Sequence, residues 1–153
     1  MNRFALMKCN LIAVVLQFTV AVTVFSEDKE VNVPDVVTAG VTAYEKGNAN
    51  SAIDAWIRGS AIEHDPKQRD ALINGLENIQ RLYGGWIGWE LIRVIKFSPS
   101  CRRVYGVVKY ERGPAYVLFD CYKTSDWILN DFEVNVAADK LLPPGLLTGL
   151  ASP

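Results

Sequence analysis

The hydrophobic period of this chain changes from that of a helix to that of a strand at Gly84-Gly85. Before this point Leu72, Leu76 and Tyr83 recur at helical spacing, which is the pattern of an amphipathic helix with one buried stripe. After it, the segment "WIGWELIRVIKF" alternates between two faces, as a strand with one buried face does. A chain whose helices precede its strands is predicted to fold as an α+β domain.

Local start and stop signals divide the helical part into three helices. The first begins near Pro34, a residue suited to the first helical turn, and ends at Gly47. The second is capped by Asn48 or Asn50, and the third follows Asp65, which precedes a proline.

Three turn-forming segments divide the next part into four strands. These segments are residues 98–100, 111–114 and 124–126, and strands joined in order by such short turns form an antiparallel meander. We therefore predict three N-terminal helices packed on a four-stranded antiparallel sheet. An apolar tail interrupted by proline and glycine follows over residues 141–153.

Residues 1–26 have the three parts of a secretory signal peptide. Arg3 and Lys8 form a basic head, an apolar run follows, and Val24 and Ser26 are small residues at its exit. An uncleaved membrane anchor is the alternative, since roughly 17 to 25 apolar residues can span a bilayer. We predict export to the periplasm or the extracellular space, with a polar lead over residues 27–32 before the folded domain.

Charge and reactive residues exclude several classes of function. The formal net charge is −1 and the basic residues do not cluster, which argues against a nucleic-acid partner and against membrane contact except during export. Beyond the signal peptide the chain has two cysteines, Cys101 and Cys121, and a single histidine, His64. These are too few for a metal site built from Cys and His, and we predict neither a metal nor another cofactor.

Asp120, between Phe119 and Cys121, is the acid that most suggests a catalytic role. Pairing Tyr110 with Ala115 places Asp120 beside Tyr105, on the face of the sheet turned away from the helices. Asp120 is then predicted to face solvent or a partner and not to act as a general base, and a slip of one residue would reverse every side chain. In this register the helix-facing side holds Val104, Gly106, Val108, Val117, Phe119 and Cys121.

The same register places Cys101 and Cys121 on opposite faces of the sheet. A disulfide needs β-carbons about 3.5–4.5 Å apart, which a bulge could provide, and an exported compartment favours oxidation. A disulfide and two free thiols are both open at this point.

Two polar residues interrupt the face predicted to cover the helices. Arg93 falls in line with Trp89, and Asn130 falls in line with Phe132. Each could lie at a sheet edge with its polar end in water. Alternatively, Arg93 and Asn130 orient a small ligand in a cavity between helices and sheet, whose walls would be Trp89, Tyr110 and Phe119.

Three segments of the chain resemble a known superfamily. They are "AYEKGNANSAIDAW", "LYGGWIGWE" and "YERGPAYVLFDCYKTSDWILNDFEVN", in which Tyr83-Gly84 ends a helix and Phe119, Tyr122 and Lys123 precede a turn into Trp127. Over residues 33–140 the chain resembles small uncharacterised exported bacterial proteins of the nuclear-transport-factor-2-like superfamily. This resemblance implies a cystatin-like α+β roll, in which the sheet curves around a cone-shaped space.

The resemblance is silent on activity, because the superfamily includes steroid isomerases, dehydratases and epoxide hydrolases as well as binding proteins. No catalytic residue can be carried over to this chain. We therefore predict a non-enzymatic exported module that binds a small ligand or a protein partner. The alternative is a small hydrolase, isomerase or dehydratase that uses the space between helices and sheet.

Bulky side chains on the face turned away from the helices suggest where a partner could bind. Tyr105, Tyr116, Leu118 and Tyr122 lie there among charged residues, which is a composition typical of interfaces. Related rolls often dimerise through this face, so the resemblance implies a homodimer. A monomer whose tyrosines lie flat over their neighbours is the alternative.

Overall fold

The structure, a computed structural model, describes residues 32–148. The predicted signal peptide, residues 1–26, lies outside the described residues. The helices are α1 (Asp35–Lys46), α2 (Ala49–Ile57), α3 (Pro66–Tyr83) and the one-turn α4 (Pro144–Leu147), with short 3-10 helices at Ala61–His64 and Ala138–Lys140. Among these described helices, none is long and apolar enough to cross a membrane.

Four strands follow α3 and form one antiparallel sheet. They are β1 (Trp86–Ser98), β2 (Cys101–Tyr110), β3 (Gly113–Lys123) and β4 (Trp127–Asn135), and their spatial order is their order along the chain. The prediction of an α+β fold, with helices followed by a four-stranded antiparallel sheet, is therefore confirmed.

Capping side chains fix where the helices begin and end. The Asn48 side chain accepts a hydrogen bond from the Ser51 amide at 3.0 Å, and Asp65 accepts one from the Gln68 amide at 3.1 Å. Both bonds satisfy amides that have no partner within the helix. Gly84 ends α3 with a φ of +88°, a backbone conformation that residues other than glycine rarely adopt.

The core lies between the helices and one face of the sheet. Trp56 and Ile53 of α2 pack there with Phe119 of β3, and all three are almost fully buried. Leu76 is the buried residue of α3. Most of α3 is exposed or half-buried, so this helix covers the edge of the core more than its centre.

The observed register of the central hairpin differs from the predicted one by two residues. Tyr110 pairs with Gly113 instead of Ala115, and Arg103, instead of Tyr105, lies opposite Asp120. Because successive side chains alternate between faces, a shift of two residues changes the partners and preserves the faces. Asp120 therefore lies on the face turned away from the helices, which we call the outer face.

Irregular pairing in β1 and β4 moves two predicted ligand residues off the helix-facing side. The β1 register shifts between Leu91 and Arg93, which places Arg93 opposite Tyr105 on the outer face. The β3–β4 register shifts so that Asn130 falls between two paired residues, and Asn130 is exposed. The prediction that both residues face the helices is wrong, because one extra residue in a strand reverses the alternation beyond it.

Residues 138–147, which we call the strap, cross the outer face of the sheet. Leu142 of the strap is buried against Tyr105 and Leu118, whose exposed fractions are 4% and 5%. The half-buried members of this cluster are Ile92, Ile95, Tyr116, Ala138, Leu141 and Leu146. The strap thus divides the outer face into a covered part and an open part.

Candidate partner-binding groove

Aromatic rings occupy the space between helices and sheet in which we predicted a ligand cavity. The ring of Trp56 lies 5.1 Å from that of Phe119 and 5.1 Å from that of Phe132, measured between centroids. Trp89 meets the edge of Phe119 at 6.1 Å. Two of the predicted ligand residues, Trp89 and Phe119, are therefore part of the core packing.

Tyr110, another predicted ligand residue, belongs to a buried hydrogen-bonded pair. Its hydroxyl lies 2.9 Å from that of Tyr44, which also donates to Gln80 at 3.4 Å. Burial raises the pKa of both hydroxyls above their ordinary value of 10.0, because a buried phenolate would lose its hydration. Both tyrosines are neutral near pH 7, and at 2% and 3% exposure they connect α1 to β2 inside the core.

The open part of the outer face contains a groove of about 250 Å³. We call it the outer-face groove, and it runs across all four strands near the β1–β2 turn. Phe97 and Tyr122 contribute its aromatic rings, and their exposed fractions are 61% and 45%. The groove is lined by Phe97, Cys101, Arg102, Arg103, Asp120, Cys121, Tyr122 and Asn130.

A bidentate ion pair forms part of the lining of the outer-face groove. Arg103 donates from Nε and Nη2 to the two carboxylate oxygens of Asp120, at 2.7 and 2.6 Å. These hydrogen bonds raise the pKa of the Arg103 guanidinium above its ordinary value. The guanidinium also lies 5.7 Å from the centre of the Phe97 ring. Both carboxylate oxygens of Asp120 therefore accept hydrogen bonds from one cation.

Cys101 and Cys121 are free cysteines, and both residues contribute atoms to the lining of the groove. Cys101 pairs with Tyr122 and Cys121 pairs with Arg102, so the two side chains leave opposite faces of the sheet, as the alternation predicts. Burial raises the pKa of the Cys121 thiol to about 12, with a smaller contribution from the Asp120 carboxylate. Of the two alternatives left open by the sequence, the structure shows free thiols.

The structure brings together only some of the predicted site residues. Asn130 and Tyr122 meet in the outer-face groove. Tyr105, Leu118 and Tyr116, predicted as an interface, pack against the strap. Tyr105 and Leu118 are buried there, so the prediction that they form an open surface with Tyr122 is wrong.

Three residues of the groove, Phe97, Arg102 and Arg103, are not among the site residues predicted from the sequence. Uninterrupted alternation along β1 would place Phe97 on the helix-facing side with Trp89, and the register shift between Lys96 and Ser98 is not visible in the sequence. Arg103 is one of the charged residues among the tyrosines of the predicted partner-binding face. The signal that could have revealed it is the pairing of Arg103 with Asp120, which depends on the correct hairpin register.

A second groove of about 520 Å³ lies between α1, α2 and the β3–β4 turn. Its lining includes Asp35 of α1, Arg58 after α2 and Trp127 of β4. The Trp127 ring has the Arg102 guanidinium 4.5 Å from its centre, and Arg102 also donates to the Asn32 backbone oxygen at 2.7 Å. These contacts attach the start of the described chain to the sheet.

Comparisons with known proteins give no relative for this chain: no family model, curated protein or solved structure matches it. Within residues 32–148 no three His, Cys, Asp or Glu side chains are grouped in a way that could hold a metal ion.

Proposed function

We propose that this chain is a non-enzymatic exported module that binds a protein partner through the outer-face groove. The observation that carries this proposal is the exposure of Phe97 and Tyr122 on a sheet face that also presents the Arg103–Asp120 ion pair. Exposed aromatic rings beside an arginine are the residue types that most often dominate binding energy at protein interfaces.

The partner proposed first is a second copy of the chain. A two-fold interface brings the same patch together twice, so a patch that carries a cation and a carboxylate side by side is complementary to itself. Arg103 and Asp120 meet this condition, and the two rings would supply apolar area around them. A small ligand in the groove is the alternative form of binding.

The enzyme alternative, a small hydrolase, isomerase or dehydratase, needs a polar space between helices and sheet. The packing of Trp56, Phe119 and Phe132 in that space supports a binding or structural role instead. The polar groups nearby, Tyr44 and Tyr110, bond to each other and are neutral. We therefore propose no catalytic residue and no cofactor.

The nuclear-transport-factor-2-like resemblance and export belong to the same proposal. Helices followed by a four-stranded antiparallel sheet are compatible with a cystatin-like roll over residues 33–140, formed by three helices and a curved sheet.

The predicted signal peptide supports a location in the periplasm or outside the cell, with membrane contact only during export. The proposed module has no nucleic-acid partner. Mass measurement of the secreted product is expected to show a chain that begins near Glu27. A full-length, membrane-bound product would contradict export by cleavage.

Sedimentation of the protein over a concentration series tests the proposed interface. Below about 0.1 mM, where exchange of end segments is not expected, we expect a dimer that forms with rising concentration in the wild type and is lost in a Phe97→Glu, Tyr122→Glu double variant. Leu82→Glu with Ile87→Glu is the matched control, because these residues are 69% and 60% exposed outside the groove. A wild type that stays monomeric up to about 0.1 mM would contradict the homodimer, since a Kd of that size corresponds to only about 5.5 kcal/mol of binding free energy. Equal loss of dimer in both double variants would show that the groove is not the interface.

A further inference from the structure

The covered part of the outer face is an apolar strip already occupied by a peptide segment. The strip is formed by Tyr105 and Leu118 at its centre, with Ile92, Ile95 and Tyr116 around them. The segment that fills it is the chain's own strap, which inserts Leu142. The strip therefore has the shape to receive an apolar peptide with leucines at the spacing of the strap.

The strap is folded by hydrogen bonds among its own residues. The amides of Leu141 and Leu142 bond to the Ala138 oxygen at 3.1 and 2.7 Å, and the amide of Leu146 bonds to the Pro143 oxygen at 2.9 Å. Its contact with the sheet includes the apolar cluster around Leu142. A segment whose turns are internally bonded can keep its local shape when it moves to another surface.

A short connection joins the strap to the sheet. β4 ends at Asn135, and only Val136 and Ala137 separate it from the strap. The Asn135 side chain accepts a hydrogen bond from the Ala137 amide at 2.9 Å, which sets the direction in which the chain leaves the sheet. Short connections of this kind favour the exchange of an end segment between two copies when they open.

We propose that the apolar strip is a docking surface that also accepts the strap of a second copy, so that two chains exchange straps. Every contact of Leu142 with Tyr105 and Leu118 is then made between two chains instead of within one. The occupant is a second copy because the strap is the peptide that the structure shows to fit the strip. This inference does not depend on the outer-face groove, which lies on the open part of the face.

Concentration decides which form is populated. Because the connection is short, the strap has an effective concentration of about millimolar at its own strip. Exchange is therefore expected to become measurable in the range from about 0.1 to 1 mM, and to reverse on dilution.

A photo-crosslinking experiment on the full chain tests this inference. A photoreactive amino acid replaces Leu146, which is half-buried at the strip, in an isotopically heavy copy and in a light copy. The two pools are mixed in equal amounts, irradiated at several concentrations, and digested for mass spectrometry. We expect heavy–light crosslinks from position 146 to β2 and β3 peptides, reaching roughly half of all intermolecular crosslinks as random pairing of equal pools requires.

Three controls make the result specific. The same photoreactive group at the exposed Leu82 of α3 is expected to give no crosslink to these peptides. Leu142→Asp in both copies places a charge in the strip and is expected to remove the heavy–light crosslinks. The Phe97→Glu, Tyr122→Glu background should retain them, which separates exchange from dimerisation through the groove. Crosslinks that join only residues of one chain at every concentration up to about 1 mM would overturn the inference.

Discussion

Gly40, at the middle of α1, shows at the scale of one residue how closely the helices approach. A β-carbon placed there would lie 2.0 Å from Nε1 of the Trp56 ring. The Trp56 ring has no freedom to move aside, because its Nε1 donates to the Val37 backbone oxygen at 3.0 Å and its faces pack on two phenylalanines. The glycine is therefore required by the space between α1 and α2.

Substitution of this glycine gives a prediction with a matched control. Gly40→Ala is expected to lower the free energy of unfolding by about 1–3 kcal/mol, through overpacking against Trp56. Gly75→Ala in α3 has open space around its β-carbon and is expected to raise it by about 0.4–1 kcal/mol, since alanine restricts the unfolded chain. Urea denaturation measures both. A Gly40→Ala protein as stable as Gly75→Ala would show that Trp56 can repack.

At the scale of an element, α3 depends on its N-terminal cap. It has 18 residues and Leu76 as its fully buried residue, so tertiary packing stabilises it less than α2. The Asp65 side chain accepts the Gln68 amide proton, and Pro66 occupies the first helical position. Both features satisfy or remove an amide that would otherwise lack a partner.

Replacement of the cap is expected to weaken the whole domain measurably. Asp65→Ala should lower the free energy of unfolding by about 1 kcal/mol, and Asp65→Ser should retain most of it, because a serine oxygen can accept the same hydrogen bond. Chemical denaturation followed by circular dichroism compares the two. If Asp65→Ser lost as much stability as Asp65→Ala, the loss would not come from the cap.

The elements also show what can be predicted from the sequence and what cannot. Helix and strand positions follow from the hydrophobic period and from Pro34, Asp65 and the turn segments, because those signals are local. The face on which each side chain of β2 and β3 lies follows from alternation. It is predicted correctly even though the predicted register is wrong by two residues. The faces on which Arg93 and Asn130 lie could not be predicted. The composition of a strand does not show where its pairing is interrupted, and an extra residue at that point reverses the side chains beyond it.

The position of the strap over Tyr105 and Leu118 could also not be predicted, but for a different reason. Its apolar residues are visible in the sequence, but their destination depends on how the chain turns after Asn135. Prolines and a glycine interrupt the apolar residues of the segment 141–148, so it has no period from which a buried face can be predicted. Of the residues predicted as an interface, Tyr105 and Leu118 therefore lie on the outer face but under the strap.

At the scale of the whole molecule, three buried groups predict a loss of stability at alkaline pH. They are two tyrosine hydroxyls and one thiol. The pKa values of Tyr44, Tyr110 and Cys121 are raised by burial above ordinary values of 10.0 and 9.0. The folded state thus holds these protons more tightly than the unfolded state. Its stability is fully present below about pH 9, the ordinary value of the thiol, and decreases as the pH rises above it.

A spectroscopic titration checks this expectation. Absorbance at the phenolate band and circular dichroism are recorded together as the pH is raised, and Tyr44 and Tyr110 are expected to ionise only as the fold is lost. Tyr110→Phe should reduce the absorbance change that accompanies unfolding. Tyr122→Phe, at an exposed position, should leave that change as it is in the wild type. Complete ionisation of all tyrosines with an unchanged circular dichroism spectrum would contradict the prediction.

The irregular pairing of β1 also affects aggregation. β1 lies at an edge of the sheet and carries the apolar segment "WIGWELIRVIKF", and apolar edge strands are the usual templates for amyloid-like stacking. Its register shifts at three places, so its longest unbroken runs of pairing are residues 88–91 and 93–96. Fibril-forming zippers are built from segments of about six or seven residues. The shifts therefore leave β1 without an unbroken template of that length, while its side chains remain apolar enough to build the core.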